Sequence, residues 1–162
     1  MSNELQIQVG DLLKEHKLRL ALAESCTGGL LGGRITDVPG SSEYFPGGVV
    51  AYAYEAKVEL LGVSWDTLNT RGAVSRETVL EMARGIRRRM NADIAVSVSG
   101  IAGPGGGTPE KPVGTIWIGL VTEETERAEL FLFSGDRDQI RISAVEAALK
   151  ILLDYLRELK SR

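Results

Sequence analysis

Two short apolar runs, residues 18–22 and 94–98, each pass directly into a turn dense in small residues. The first turn reads Ala23-Glu24-Ser25-Cys26-Thr27-Gly28-Gly29, and the second reads Ser99-Gly100-Ile101-Ala102-Gly103-Pro104-Gly105-Gly106-Gly107. Nearly continuous apolar runs of this length suit strands buried on both faces, which requires a sheet with helices packed above and below it. Helical periodicity surrounds both runs. Leu5, Val9, Leu12 and Leu13 define an amphipathic helix over 4–15, and Leu30, Leu31 and Ile35 continue a helix after the first turn until Val38-Pro39-Gly40 ends it. Val79, Met82, Ala83 and Ile86 form one face of a helix over 76–90 capped by Ser75. Ile140, Ala144, Ala148, Ile151 and Tyr155 keep helical period in a long last helix starting near Ser134 or Asp136. Further strands are predicted at 47–54, 113–121 and 128–133, the last two joined by a turn short enough for an antiparallel hairpin. A short helix over 55–61 and another turn at 65–68 complete the pattern. The chain therefore reads as one domain over 1–162, a three-layer α/β/α sandwich with a mixed sheet of about five strands. Ligands in such sheets favour the carboxyl ends of parallel strands, where Ser25 and Gly100 both fall.

Composition narrows the function classes. A net charge of −3 and a pI near 5.3 leave no basic footprint for nucleic acid. The run Arg87-Arg88-Arg89 falls late in a helical pattern, where cations complement the negative end of the dipole. No apolar stretch approaches bilayer length and no signal-peptide pattern opens the chain, so a cytoplasmic protein without a membrane partner is expected. Cys26 is the only cysteine and His16 the only histidine, which excludes an internal disulfide and a Cys/His zinc site. No metal or cofactor is expected, and no carboxylate spacing argues for one. A homodimer or higher homo-oligomer is expected from the general tendency of small sandwich domains to bury an edge or a helix face.

The chemistry concentrates around Ser25. A helix beginning there would aim unpaired N–H groups and the positive end of its dipole at whatever sits above it, which suits a bound anion or a developing oxyanion. Helix capping is the commoner role of serine at such a turn. His16 lies in the polar exit of the first helix, so a Ser-His-Asp triad has no partner for the serine. Lys57, following Tyr52 and Tyr54, is the best candidate base, although a lysine is more often a solvated surface charge. With an unperturbed pKa of about 10.4, it is neutral in roughly one molecule in a few thousand at pH 7, so burial or a neighbouring cation must lower it. Alternatively, Tyr52 passes the proton between Ser25 and Lys57. Cys26 lacks an activating base and reads as a small buried thiol.

The glycines do not form G-x-G-x-x-G, and no G-x-x-x-x-G-K-[ST] occurs. A tyrosine and lysine four apart, as in short-chain dehydrogenases, would require tyrosine where Ala53 stands. The loop 100–107 has more glycine than a plain turn requires, which suggests close backbone approach to a ligand. Arg137 and Arg141 lie one turn apart at the start of the last helix, against its dipole. A bound phosphate or carboxylate would explain them, and so would solvated cations balanced by Asp136 and Asp138.

Five ordered motifs, Ala23 to Gly29, Pro39-Gly40-Ser41-Ser42, Gly72-Ala73-Val74-Ser75, Ser99 to Pro104 and Lys111-Pro112-Val113-Gly114-Thr115, resemble the CinA C-terminal domain family over nearly the whole chain. The chain is similar to stand-alone nicotinamide mononucleotide deamidases. The resemblance implies hydrolysis of the carboxamide of nicotinamide mononucleotide to nicotinic acid mononucleotide and ammonia, in pyridine nucleotide salvage. It implies Ser25 as nucleophile with Lys57 and Tyr52 as its activating pair. Donors around Cys26, Thr27, Gly28 and Gly29 are then expected to bind the oxyanion and substrate. Arg141, with Arg137, is expected near the substrate phosphate, while Gly100 and Thr115 shape the nucleotide pocket. The family often carries a small hydroxyl residue and Asn where this chain has Ala53 and Tyr54. The competing reading is a non-catalytic module that binds a pyridine nucleotide or an ADP-ribose derivative.

Overall fold

The computed structural model describes residues 4–160. In chain order it contains α1 (Leu5–His16), β1 (Leu20–Glu24), α2 (Leu30–Thr36), a single 3-10 turn (Ser41–Glu43) and β2 (Gly47–Val50). Then follow α3 (Tyr54–Leu61), α4 (Trp65–Arg71), α5 (Arg76–Arg89), β3 (Ile94–Gly100), β4 (Thr115–Val121), β5 (Glu126–Leu132) and α6 (Arg137–Lys160).

Side-chain size divides the two faces of the central strands. Leu20 and Leu22 of β1 and Ile94, Val96 and Val98 of β3 join the core formed with α1, α2 and α6. Ala21, Ala23 and Ala95 face the opposite side and pack with α3, α4 and α5. The small face lets α5 approach closely, and the Ser97 hydroxyl donates 2.6 Å to the Val79 carbonyl of that helix. Both faces are therefore covered, and the fold is the expected three-layer α/β/α sandwich. Ser75 caps α5 by accepting from the Thr78 N–H at 3.2 Å, as its place before the periodic run predicts.

The strand order is β2-β1-β3-β4-β5. β1 pairs in parallel with both β2 and β3, while β3–β4 and β4–β5 are antiparallel. The chain leaves β1 towards β2 on one side and returns to β3 on the other, so a topological switch point lies between β1 and β3. A crevice opens at the carboxyl ends of strands at such a point. Ser25, one residue beyond β1, donates its N–H to the Val98 carbonyl of β3 at 2.9 Å.

Two boundaries differ from the sequence reading in ways that matter. The second strand stops at Val50, four residues before its predicted end, because the next carbonyls, those of Ala51 and Tyr52, turn towards the Lys57 amine. The helix expected to begin at Ser25 begins at Leu30. The intervening residues form a tight turn instead.

Candidate active site

Ser25 and Lys57 meet directly. The Lys57 Nζ lies 2.9 Å from Ser25 Oγ, 2.8 Å from the Ala51 carbonyl oxygen and 2.9 Å from that of Tyr52. Lys57 is 1% exposed and Ser25 is 7% exposed. The helix α3 projects the lysine inward, beneath the loop that joins it to β2. Burial lowers the Lys57 pKa from 10.5 to about 8, against an opposing attraction from the neighbouring Cys26 sulfur. A neutral amine has two hydrogens and one lone pair. In that neutral form the two carbonyls can take both hydrogens and leave the lone pair for the serine hydroxyl, whereas the ammonium donates to all three oxygens. The site can therefore take a proton from Ser25 without an intermediary.

Tyr52 does not occupy the relay position that the sequence reading allowed it. Its carbonyl, not its hydroxyl, contacts Lys57. The side chain is 60% exposed, and its hydroxyl accepts from the Arg137 guanidinium at 3.2 Å. Arg137 also donates 2.6 Å to the Gly103 carbonyl, so it straps the loop after β3 to the loop after β2 across the mouth of the site. Arg141 reaches the site differently. Its Nε donates to the Cys26 carbonyl at 3.0 Å, and a terminal nitrogen donates to the Thr27 carbonyl at 3.2 Å.

Glu24 received no separate role in the sequence reading, yet it organises the turn. Its carboxylate is 4% exposed. Oε1 accepts from the Thr27 hydroxyl at 2.6 Å, the Gly29 N–H at 3.2 Å and the Leu31 N–H at 2.9 Å. Oε2 accepts from the Gly32 N–H at 2.9 Å. These are the donors that open α2, so the helix terminus is satisfied by a carboxylate of its own chain rather than held open for a ligand. A carboxylate closing an otherwise apolar strand just before a helix was the available signal.

The expected cradle of backbone donors is thereby reduced. Gly29 N–H belongs to Glu24, and Gly28 N–H donates to the Ser25 carbonyl at 3.1 Å. Among the described residues, the N–H groups of Cys26 and Thr27 donate to no backbone carbonyl. Thr27 is fully covered and Cys26 keeps slight exposure, and Cys26 N–H belongs to the residue that follows the nucleophile, the usual place of an oxyanion donor after a nucleophilic turn. Gly28 and Gly29 line a cavity of about 570 Å3 between α2 and α6, on a wall that includes Ile142 and Val145 and not Ser25. The Cys26 thiol is buried and its pKa is pushed up to about 11 by that burial, which makes it inert at neutral pH.

Gly100 and Thr115 also take structural positions. A side chain on Gly100 would collide with Ile116 and the Thr115 carbonyl, so close β3–β4 packing requires the glycine. The Thr115 hydroxyl donates 2.6 Å to the Pro112 carbonyl and is buried beneath the loop. Ala53 stands at the N-cap of α3 with no side-chain oxygen to accept a bond, and Tyr54 packs its ring against Trp65 at 6.5 Å between centroids. Among the described residues, no group of three or more His, Cys, Asp or Glu side chains is placed to hold a metal ion. No described helix is long and apolar enough to cross a membrane.

These features define a class: three-layer α/β/α domains with a buried serine–lysine pair at the carboxyl edge of the sheet. Residues 2–156 match the profile of the CinA C-terminal domain, and the chain belongs to that family. It is 52% identical to a putative competence-damage inducible protein of Halothermothrix orenii over 93% of this chain and 37% of that one. It is 53% identical to a CinA-like protein of Chlorobaculum tepidum over 96% of this chain and 38% of that one. The chain thus spans well under half the length of these curated relatives. Solved structures match over nearly their whole length. The competence damage-inducible protein A of Klebsiella pneumoniae superposes with a TM-score of 0.93 at 37% identity, each chain covered over 96%. The competence/damage inducible protein of Agrobacterium tumefaciens gives 0.92 at 40% identity, covering 96% of this chain and 94% of that one.

Proposed function

We propose that this chain is a serine amidohydrolase that converts nicotinamide mononucleotide to nicotinic acid mononucleotide and ammonia. The observation that carries the catalytic part is the buried 2.9 Å contact between Lys57 Nζ and Ser25 Oγ, with the same nitrogen 2.8 and 2.9 Å from the Ala51 and Tyr52 carbonyl oxygens. The substrate rests on the resemblance of the five motifs to the deamidases of the family. Ser25 Oγ attacks the carboxamide carbon while neutral Lys57 accepts its proton. The Cys26 N–H stabilises the oxyanion that forms on the carbonyl oxygen. The Lys57 ammonium then returns the proton to the leaving nitrogen, the C–N bond breaks, and ammonia departs from an acyl-enzyme. Water, deprotonated by the same amine, attacks the ester carbon, the amine passes that proton to the departing Ser25 Oγ as the C–O bond breaks, and the acid is freed with Ser25 and Lys57 restored. Arg137, exposed at the mouth, supplies a cation for the phosphate.

Ammonia release from nicotinamide mononucleotide tests this reading. Wild type turns over and Ser25→Ala falls by at least about a thousandfold while retaining nucleotide binding. Tight nucleotide binding without turnover in wild type would establish the non-catalytic module instead.

A further inference from the structure

The turn that carries Ser25 is gripped from two sides by groups of opposite charge. Glu24 collects N–H groups at the start of α2. Arg141, one turn into α6, collects the carbonyls of Cys26 and Thr27. In a trans peptide the C=O of one residue and the N–H of the next point in opposite directions, so fixing one fixes the other. Arg141 at the Thr27 carbonyl therefore orients Gly28 N–H, which donates to the Ser25 carbonyl at 3.1 Å. That bond in turn orients the Ser25–Cys26 peptide, whose N–H donates to no backbone carbonyl and directly follows the nucleophile. Gly28 makes the contact possible: its φ is +59°, and a β-carbon there would stand 3.1 Å from the Arg141 guanidinium. An arginine placed against the dipole of its own helix gains its compensation from two carbonyls of the turn rather than from a ligand.

We propose that Arg141 is a positioning residue that preorganises the oxyanion donor of the Ser25 turn, acting with Glu24 as a two-sided clamp, and that it does not bind the substrate phosphate. This rests on the amidohydrolase reading and reassigns the residue within it. An oxyanion contact exists only in the transition state, so loosening it lowers kcat and leaves KM in place, whereas loss of a phosphate ligand raises KM.

The test uses Arg141→Lys, which keeps the charge but not the fork, and Arg141→Gln, which keeps one donor. Both are assayed for ammonia release and for affinity to a boronic acid analogue of the substrate, which forms a tetrahedral adduct on Ser25, and to nicotinic acid mononucleotide. Thermal unfolding reports whether each variant is folded, and the second variant serves if one is not. The clamp predicts kcat lower by about tenfold to a hundredfold in the folded variants, boronate affinity lower in proportion, and KM and product affinity within about twofold of wild type. A tenfold rise in KM and weaker product binding with kcat unchanged would overturn it in favour of a phosphate ligand. Full activity in both variants would overturn it as well. Wild type without turnover sinks the amidohydrolase reading and the catalytic purpose of the clamp together, an outcome distinct from active wild type with unaffected variants.

Discussion

A lysine amine in water gives up its proton too rarely at neutral pH to serve as a base, and Lys57 escapes this through burial. With its pKa lowered to about 8, roughly one molecule in ten carries the neutral amine at pH 7. The same shift links the residue to stability. Between about 8 and 10.5 the unfolded chain still holds the proton that the folded chain has released, so stability rises with pH across that window. Below about 8 both states are protonated, the slope disappears, and the fold bears the full cost of the buried charge, on the order of 3 kcal/mol. We therefore expect kcat/KM of the wild type to climb with pH and level off above about 8, and Lys57→Met to be inactive. Denaturant midpoints of Lys57→Met should lack the wild-type rise between those pH values. A wild-type profile that is flat from neutral pH to 10 would contradict a buried lysine base.

At the scale of elements, the site depends on where two helices begin. Glu24 caps α2 from inside the sheet, and α3 starts at Ala53, whose extended backbone (φ −78°, ψ 161°) suits an N-cap but whose side chain cannot accept a bond. The first intrahelical bond of α3 runs from Lys57 N–H to the Ala53 carbonyl at 3.1 Å. A serine hydroxyl at this position would complete the cap. Ala53→Ser should thus raise stability by about 1 kcal/mol, read as a higher denaturant midpoint with an unchanged slope. An unchanged or lower midpoint would show that another group already satisfies the start of the helix.

Across the whole molecule, charge and topology act separately. Topology brings the ends of β1 and β3 together at the switch point, and charge leaves the chain acidic at −3 with no basic face named by any motif. Although relatives carry competence and damage names, no binding to a labelled DNA duplex is expected at about 0.15 M salt, measured by fluorescence anisotropy. Salt-dependent binding at micromolar protein would contradict this.

The alternation of buried runs and amphipathic helices was legible from residue order alone, because side-chain period and strand length are local properties. Hence the layered sandwich, the two turns at the strand ends and the candidates Ser25 and Lys57 could all be read in advance. Other assignments needed contacts between distant segments. Whether Lys57 met water or Ser25, whether Arg141 faced a ligand or two carbonyls, and whether Gly100 served a pocket or the β3–β4 contact are questions of three-dimensional neighbourhood. A hydrogen bond between residues 32 or 115 positions apart leaves no periodic trace in the chain, because its partners are chosen by how the sheet closes and not by their neighbours in sequence.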